Sequence, residues 1–102
     1  MSPAFEFQLT WHPTVVMYVD FSTDGREVTD YAVILVVENE GALTTVRVYD
    51  AAHGFNEMHR HTFTGGKAAG ERFHAGTLGE GMRAAIEEVR RNYAEMIKAW
   101  RR

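Results

Sequence analysis

Apolar side chains recur at every second position through the first part of this chain, in segments cut by short turn signals. That pattern commits residues 4–63 to a sheet. Phe5, Phe7, Leu9 and Trp11 alternate with Glu6, Gln8, Thr10 and His12 until Pro13 interrupts. A period of two sends one set of side chains to a buried face and the other to water. Residues 14–23 alternate again, with Val15, Met17, Val19 and Phe21 on one side, and Asp24-Gly25 is a turn signal. Tyr31 to Val37 is apolar on both faces, as in a central strand, and Asn39-Glu40-Gly41 marks the next turn. Leu43 to Tyr49 and Met58 to Phe63 supply two more candidates. About five strands joined by short turns predict an antiparallel meander.

The period then changes. Residues 64–81 hold six of the nine glycines and little to bury, so a loop is expected over 64–76. Thr77-Leu78-Gly79-Glu80 fits a capping box, in which the hydroxyl and the carboxylate satisfy backbone N–H groups reciprocally. Leu78, Met82, Ala85, Ile86, Val89, Tyr93, Ile97 and Trp100 follow at helical spacing, predicting one helix over 78–101 with Glu87 and Arg91 placed to pair. At 1.5 Å per residue it would be roughly 35 Å long and overhang a seven-residue strand. The expectation is a single α+β domain over residues 1–102, a sheet packed on one long C-terminal helix. One helix covers one face of a sheet. The second face, apolar along the central strand, calls for sheet curvature, the glycine loop or another copy of the chain, and a homodimer is expected.

Composition narrows the class. With 45% apolar and 25% charged residues the chain is globular, and with no Cys it has neither disulfides nor thiolate metal ligands. The start, Met1-Ser2-Pro3-Ala4-Phe5, lacks a basic stretch followed by an apolar run, and Ala32 to Val37 is too short to span a bilayer, so a soluble cytoplasmic protein is expected. The net charge of −3 is unevenly spread: residues 1–46 carry seven acids against Arg26 alone, and residues 47–102 carry ten Lys/Arg against seven acids. The basic half, which also holds four of the five histidines, suits a polyanion.

The chemistry-bearing residues gather there as Arg47-Val48-Tyr49-Asp50-Ala51-Ala52-His53, followed by Glu57, His59, Arg60 and His61. Histidine exchanges protons near neutrality. His59 and His61, two apart on a strand, are expected to share a face, and could divide general-base and general-acid work or bind a divalent ion. Asp50 could orient His53, or simply cap the turn ahead of Gly54. Two hairpin registers are open. If Asp50 pairs with Glu57, Val48 faces His59 and Val46 faces His61; a one-residue slip instead sets Arg47 and Tyr49 beside the imidazoles, which the catalytic reading prefers. Lys67 and Arg72, in the glycine loop ahead of a helix N-terminus, could meet phosphate oxygens, although Gly65-Gly66-Lys67 lacks P-loop spacing.

The stretch Val46 to Gly54, with His59-Arg60-His61 after it, resembles the small toxins of the TumE type and their uncharacterised relatives in actinobacteria and phages. The likeness covers about residues 31–64 by motif and the helix by order. Ala51 stands where the family often has Asn, and the first 30 residues carry no shared motif. The resemblance implies an RNA-cleaving toxin paired with a cognate antitoxin, with Asp50, His53, His59 and His61 at the matching positions.

Three functions are therefore expected in competition. In the first, a metal-independent endoribonuclease, His59 or His61 takes the 2′-hydroxyl proton and His53, held by Asp50, protonates the leaving oxygen. Arg47, Arg60 and Lys67 stabilise the phosphorane-like charge. In the second, His53, His59 and His61, with Asp50, bind zinc or manganese. In the third, the protein is a non-enzymatic interaction module, such as an antitoxin, an inhibitor or a phage accessory protein.

Overall fold

A computed structural model describes residues 4–102; the N-terminal residues 1–3, part of the segment read above for a leader, lie outside it. The chain runs β1 (Ala4–Trp11), β2 (Thr14–Asp24), β3 (Glu27–Asn39), β4 (Ala42–Asp50), β5 (Asn56–Arg60), β6 (Glu71–His74) and α1 (Leu78–Trp100). The strands form one antiparallel sheet in the order β1-β2-β3-β4-β5-β6. The α+β meander packed on one helix is as expected, with six strands in place of five.

The sixth strand lies inside the segment read as a loop. Backbone pairing stabilises it where the sequence offers little apolar signal: Asn56 pairs with His74 and Glu57 with Arg72, and a bulge lies between the two pairs. Phe73, within that irregularity, packs edge-on against Tyr49 at 5.0 Å. The preceding glycine segment forms a hairpin tip, with Thr62 N donating to Gly66 O at 2.7 Å and Ala68 N to Arg60 O at 2.8 Å.

The core lies between β3–β4 and α1. Tyr31, Val33, Leu35 and Val37 point to the helix, which returns Met82, Ala85, Val89, Met96 and Trp100. Each such aliphatic side chain contributes about 2 kcal/mol on burial. β3 has 13 residues, far beyond the apolar run that marked it, so the 23-residue helix does not overhang as expected. The extra length comes from strand ends that are polar except for Val28, which packs against the core. The turn into β4 takes Glu40 at φ 52° and Gly41 at φ 82°, the left-handed pair that a tight antiparallel hairpin demands.

Between Leu35↔Arg47 and Val36↔Thr45 the β3–β4 register shifts, and Val46 is the extra residue. The bulge lets Val46 and Tyr49, three apart, both reach the core. On the other face Val16 pairs with Val36 and both are buried, while Tyr18, Ile34 and Val48 are half-exposed. The glycine hairpin tip covers part of that face. A Cβ on Gly70 would stand 2.4 Å from His59 Cε1 and 2.5 Å from Glu57 Cδ. Among the described residues no helix is long and apolar enough to cross a membrane.

Candidate functional site

The β4–β5 register decides how the chemical residues group. Val48 pairs with His59 and Asp50 with Glu57, the first of the two registers, and not the slipped one that the catalytic reading prefers. The ladder partners of His59 and Glu57 are thus Val48 and Asp50, and Arg47 and Tyr49 pair with Arg60 and Met58. The constellation divides into two groups.

The first group centres on Glu57, which sequence reasoning left out of the site. Its Oε1 lies 2.8 Å from His53 Nδ1 and 2.8 Å from His59 Nε2. Glu57 and His59 are each only 6% exposed, whereas the His53 side chain is 67% exposed. These two imidazoles hold the Glu57 carboxyl below its usual range, with the His53 contact the larger cause. His59 Nδ1 faces the Ala68 carbonyl at 3.4 Å. Asp50 Oδ1 accepts from Ala52 N at 3.3 Å, the turn-capping role, and its carboxylate also lies near Glu57 and His59. A Glu in an otherwise buried strand, directly opposite Asp50, is the signal that could have found this group.

The second group lines a cleft of about 370 Å³ between the β4–β5 end of the sheet, the hairpin tip and the last turn of α1. Arg47, Arg60, His61 and Arg102 supply its polar lining; Val46, Phe63, Met96 and Trp100 are its apolar walls. Phe63 stacks edge-on against Trp100 at 4.8 Å, which fixes the tip against the helix. Arg47 Nη1 donates to the Tyr49 hydroxyl at 3.4 Å, and that hydroxyl donates to Glu88 Oε2 at 2.6 Å. Burial, first, and the Glu88 carboxylate push the Tyr49 phenol well above its ordinary range, so it stays a neutral donor. Arg47 Nε and Trp100 Nε1 are buried without a hydrogen-bond partner. Both N–H groups are closed off from solvent behind the cleft wall, and a buried N–H left unmade costs about 1–3 kcal/mol.

His61 belongs to this cleft. Its backbone N donates to Val46 O at 3.0 Å, and it forms a bridge with Lys67 beyond the end of β5. Burial lowers its pKa, helped by Lys67 and His59, which favours the neutral imidazole. The strand alternation expected to align His59 with His61 stops one residue short of His61. β5 ends at Arg60; His59 is sealed with Glu57, while His61 lines the cleft. Ala68 touches both, through its carbonyl on His59 and as part of the cleft wall. The trio His53, His59 and His61 therefore does not converge on one point, and the metal-capable cluster is Asp50, Glu57 and His59.

The remaining phosphate candidates divide. Arg60 reaches the cleft while its Nη1 pairs with Glu71 Oε2 at 3.1 Å on the exposed side. Arg72 stacks over the Phe55 ring at 4.7 Å. At the helix N-terminus Thr77 and Glu80 cap each other, so the chain's own side chains meet N–H groups there. The cleft sets Trp100 and Arg102 beside Arg47, a juxtaposition across more than 50 residues of sequence that no local pattern carries.

A family model described as a domain of unknown function (DUF7718) matches residues 5–102, so the chain belongs to that family. No curated protein and no solved structure matches it.

Proposed function

We propose that this member of the DUF7718 family binds a phosphodiester in the cleft between β4–β5 and the C-terminal turn of α1, and cleaves RNA there. The observation that carries the reading is the gathering of three guanidinium side chains, Arg47, Arg60 and Arg102, with His61 around one cleft. Guanidinium groups suit phosphate because their fork of N–H groups matches its oxygens. The resemblance to TumE-type toxins supports RNA as the anion and a cognate antitoxin as partner.

In this reading the His61 imidazole accepts the 2′-hydroxyl proton, the 2′-oxygen bonds to phosphorus, and the bond to the 5′-oxygen breaks. The departing oxygen takes a proton from water, leaving a 2′,3′-cyclic phosphate and a 5′-hydroxyl. Arg47 and Arg60 stabilise the charge that builds on the non-bridging oxygens. His59 and Glu57 lie outside the cleft and support its wall through Ala68. Incubation of the purified protein with total RNA tests this. Cleavage products ending in cyclic phosphate are expected, with His61→Ala inactive at an unchanged circular dichroism spectrum and Arg47→Gln slower by about 10²-fold. Full activity in both variants would refute the assignment, as would RNA left uncut by the wild type.

A second reading has its own observation. α1 lies chiefly across β3 and β4, and on the edge strand β1 the side chains of Phe5, Phe7 and Trp11 stay exposed. An unpaired edge with large apolar residues suits β-addition by a second copy or a partner protein. This is the interaction-module reading, and it leaves the cleft free.

A further inference from the structure

The Glu57 group has no part in the cleft, and its geometry asks for something more. Antiparallel pairing sets Asp50 opposite Glu57 at the end of the β4–β5 hairpin, and His59 follows two residues on. Asp50, Glu57 and His59 each offer one donor atom, all within 4.8 Å of one another. Buried carboxylates ordinarily keep a cation beside them. Among the described residues, no Lys or Arg forms an ion pair with Glu57, whose partners are the two imidazoles.

The orientation of His59 adds a second, independent observation. The ring of His59 lies between two acceptors, the Ala68 carbonyl 3.4 Å from Nδ1 and Glu57 Oε1 2.8 Å from Nε2. A neutral imidazole carries one N–H and can donate to only one of the two. The other contact is then left without a proton, and a second ring proton or a bound cation satisfies it. Metal-ligating histidines hold their outer ring nitrogen on a backbone carbonyl or carboxylate, and the Nδ1 contact with Ala68 O offers His59 such a partner.

We propose that Asp50, Glu57 and His59 form a site for a divalent transition-metal ion of the zinc or manganese class. One nitrogen and two carboxylate groups are borderline and hard donors that suit those ions. At about 2.0–2.2 Å from a tetrahedral zinc, neighbouring donor atoms sit roughly 3.3 Å apart, so the present cluster needs adjustment and no rebuilding. Gly70 closes the site from one side, since any side chain there would strike His59 and Glu57. The exposed His53 stands at the other side as the point of entry. His61 is not a ligand. The ion ties β5 to the hairpin tip that carries Ala68, and so holds the wall of the neighbouring cleft.

The test uses full-length protein without a histidine tag, stripped with chelator and titrated calorimetrically with zinc chloride and, separately, manganese chloride. One ion per chain is expected, with a raised thermal midpoint and slower amide exchange at residues 66–70. Asp50→Asn keeps the turn-capping oxygen and removes the charge; it is expected to weaken uptake by about tenfold or more, while His61→Ala leaves uptake unchanged. Glu57→Gln serves as a second variant. Failure of both ions to bind saturably at one per chain overturns the site. So does uptake that is unaltered in Asp50→Asn or lost in His61→Ala. RNA cleavage is read separately, so loss of either proposal leaves the other standing.

Discussion

Asn56 shows how much one buried amide can organise. It is 1% exposed and accepts from the Tyr31 hydroxyl at 2.7 Å. Its Nδ2 lies within 3.3 Å of the carbonyls of His74, Gly76 and Thr77. The amide thereby fixes the link between β6 and α1. Gly81, in the first turns of the helix, makes room for it: a Cβ there would lie 1.9 Å from Asn56 Oδ1. Gly to Ala inside a helix ordinarily gains up to about 1 kcal/mol. Here the sign reverses, because the amide is pinned by its partners and cannot swing away. Gly81→Ala is expected to destabilise by about 1–3 kcal/mol in denaturant unfolding, and an unchanged or raised midpoint would contradict the packing described.

At the scale of elements, α1 is the part most fully legible in the sequence. Thr77 Oγ1 accepts from Glu80 N at 3.1 Å, Glu80 Oε1 accepts from Thr77 N at 3.0 Å, and Glu87 pairs with Arg91 at 2.8 Å, all as the spacing predicts. The backbone bond from Thr77, then the Thr77 side chain, hold the Glu80 carboxyl below its usual value of 4.5. A folded-state pKa below the unfolded one gives stability that is present above the unfolded value and lost as pH falls through the folded value. Glu80→Gln keeps a cap and removes this dependence. The advantage of wild type over Glu80→Gln is therefore expected near neutrality and to shrink progressively below about pH 4.5 in thermal unfolding; a gap that widens in acid would contradict it. The strands were legible where one face is buried and obscure where pairing overrides pattern. β6 has a single strongly apolar residue, Phe73, and is made by its backbone partners in β5. The bulge at Val46 breaks the simple parity of β4 and carries Arg47 to the cleft, which alternation alone does not reveal. Strand β1 poses its own question. If its exposed edge serves self-association, Phe7→Lys should lower the sedimentation coefficient to that of a monomer, and an unchanged value would remove β1 from that role.

Across the whole molecule, the two chemical groups lie on either side of one hairpin tip, which seals His59 with Glu57 and walls the cleft at Ala68. The sequence announces the residues by their density but not their division. That division depends on register, on where β5 stops, and on Trp100 and Arg102 returning at the far end of the chain. The charge asymmetry has a structural counterpart, since the cleft draws its cations from the basic half. Binding there should weaken as salt rises, because each neutralised phosphate releases counterions.

The most direct test follows the Trp100 indole N–H and the Arg47 Nε–H by nuclear magnetic resonance, as a short RNA with uncleavable 2′-O-methyl linkages is added. Both signals, with that of His61, are expected to shift saturably and to return as salt is raised. Saturable shifts confined to β1 or to the N-terminal turn of α1, or no shifts at all, would contradict the cleft as the site of anion recognition.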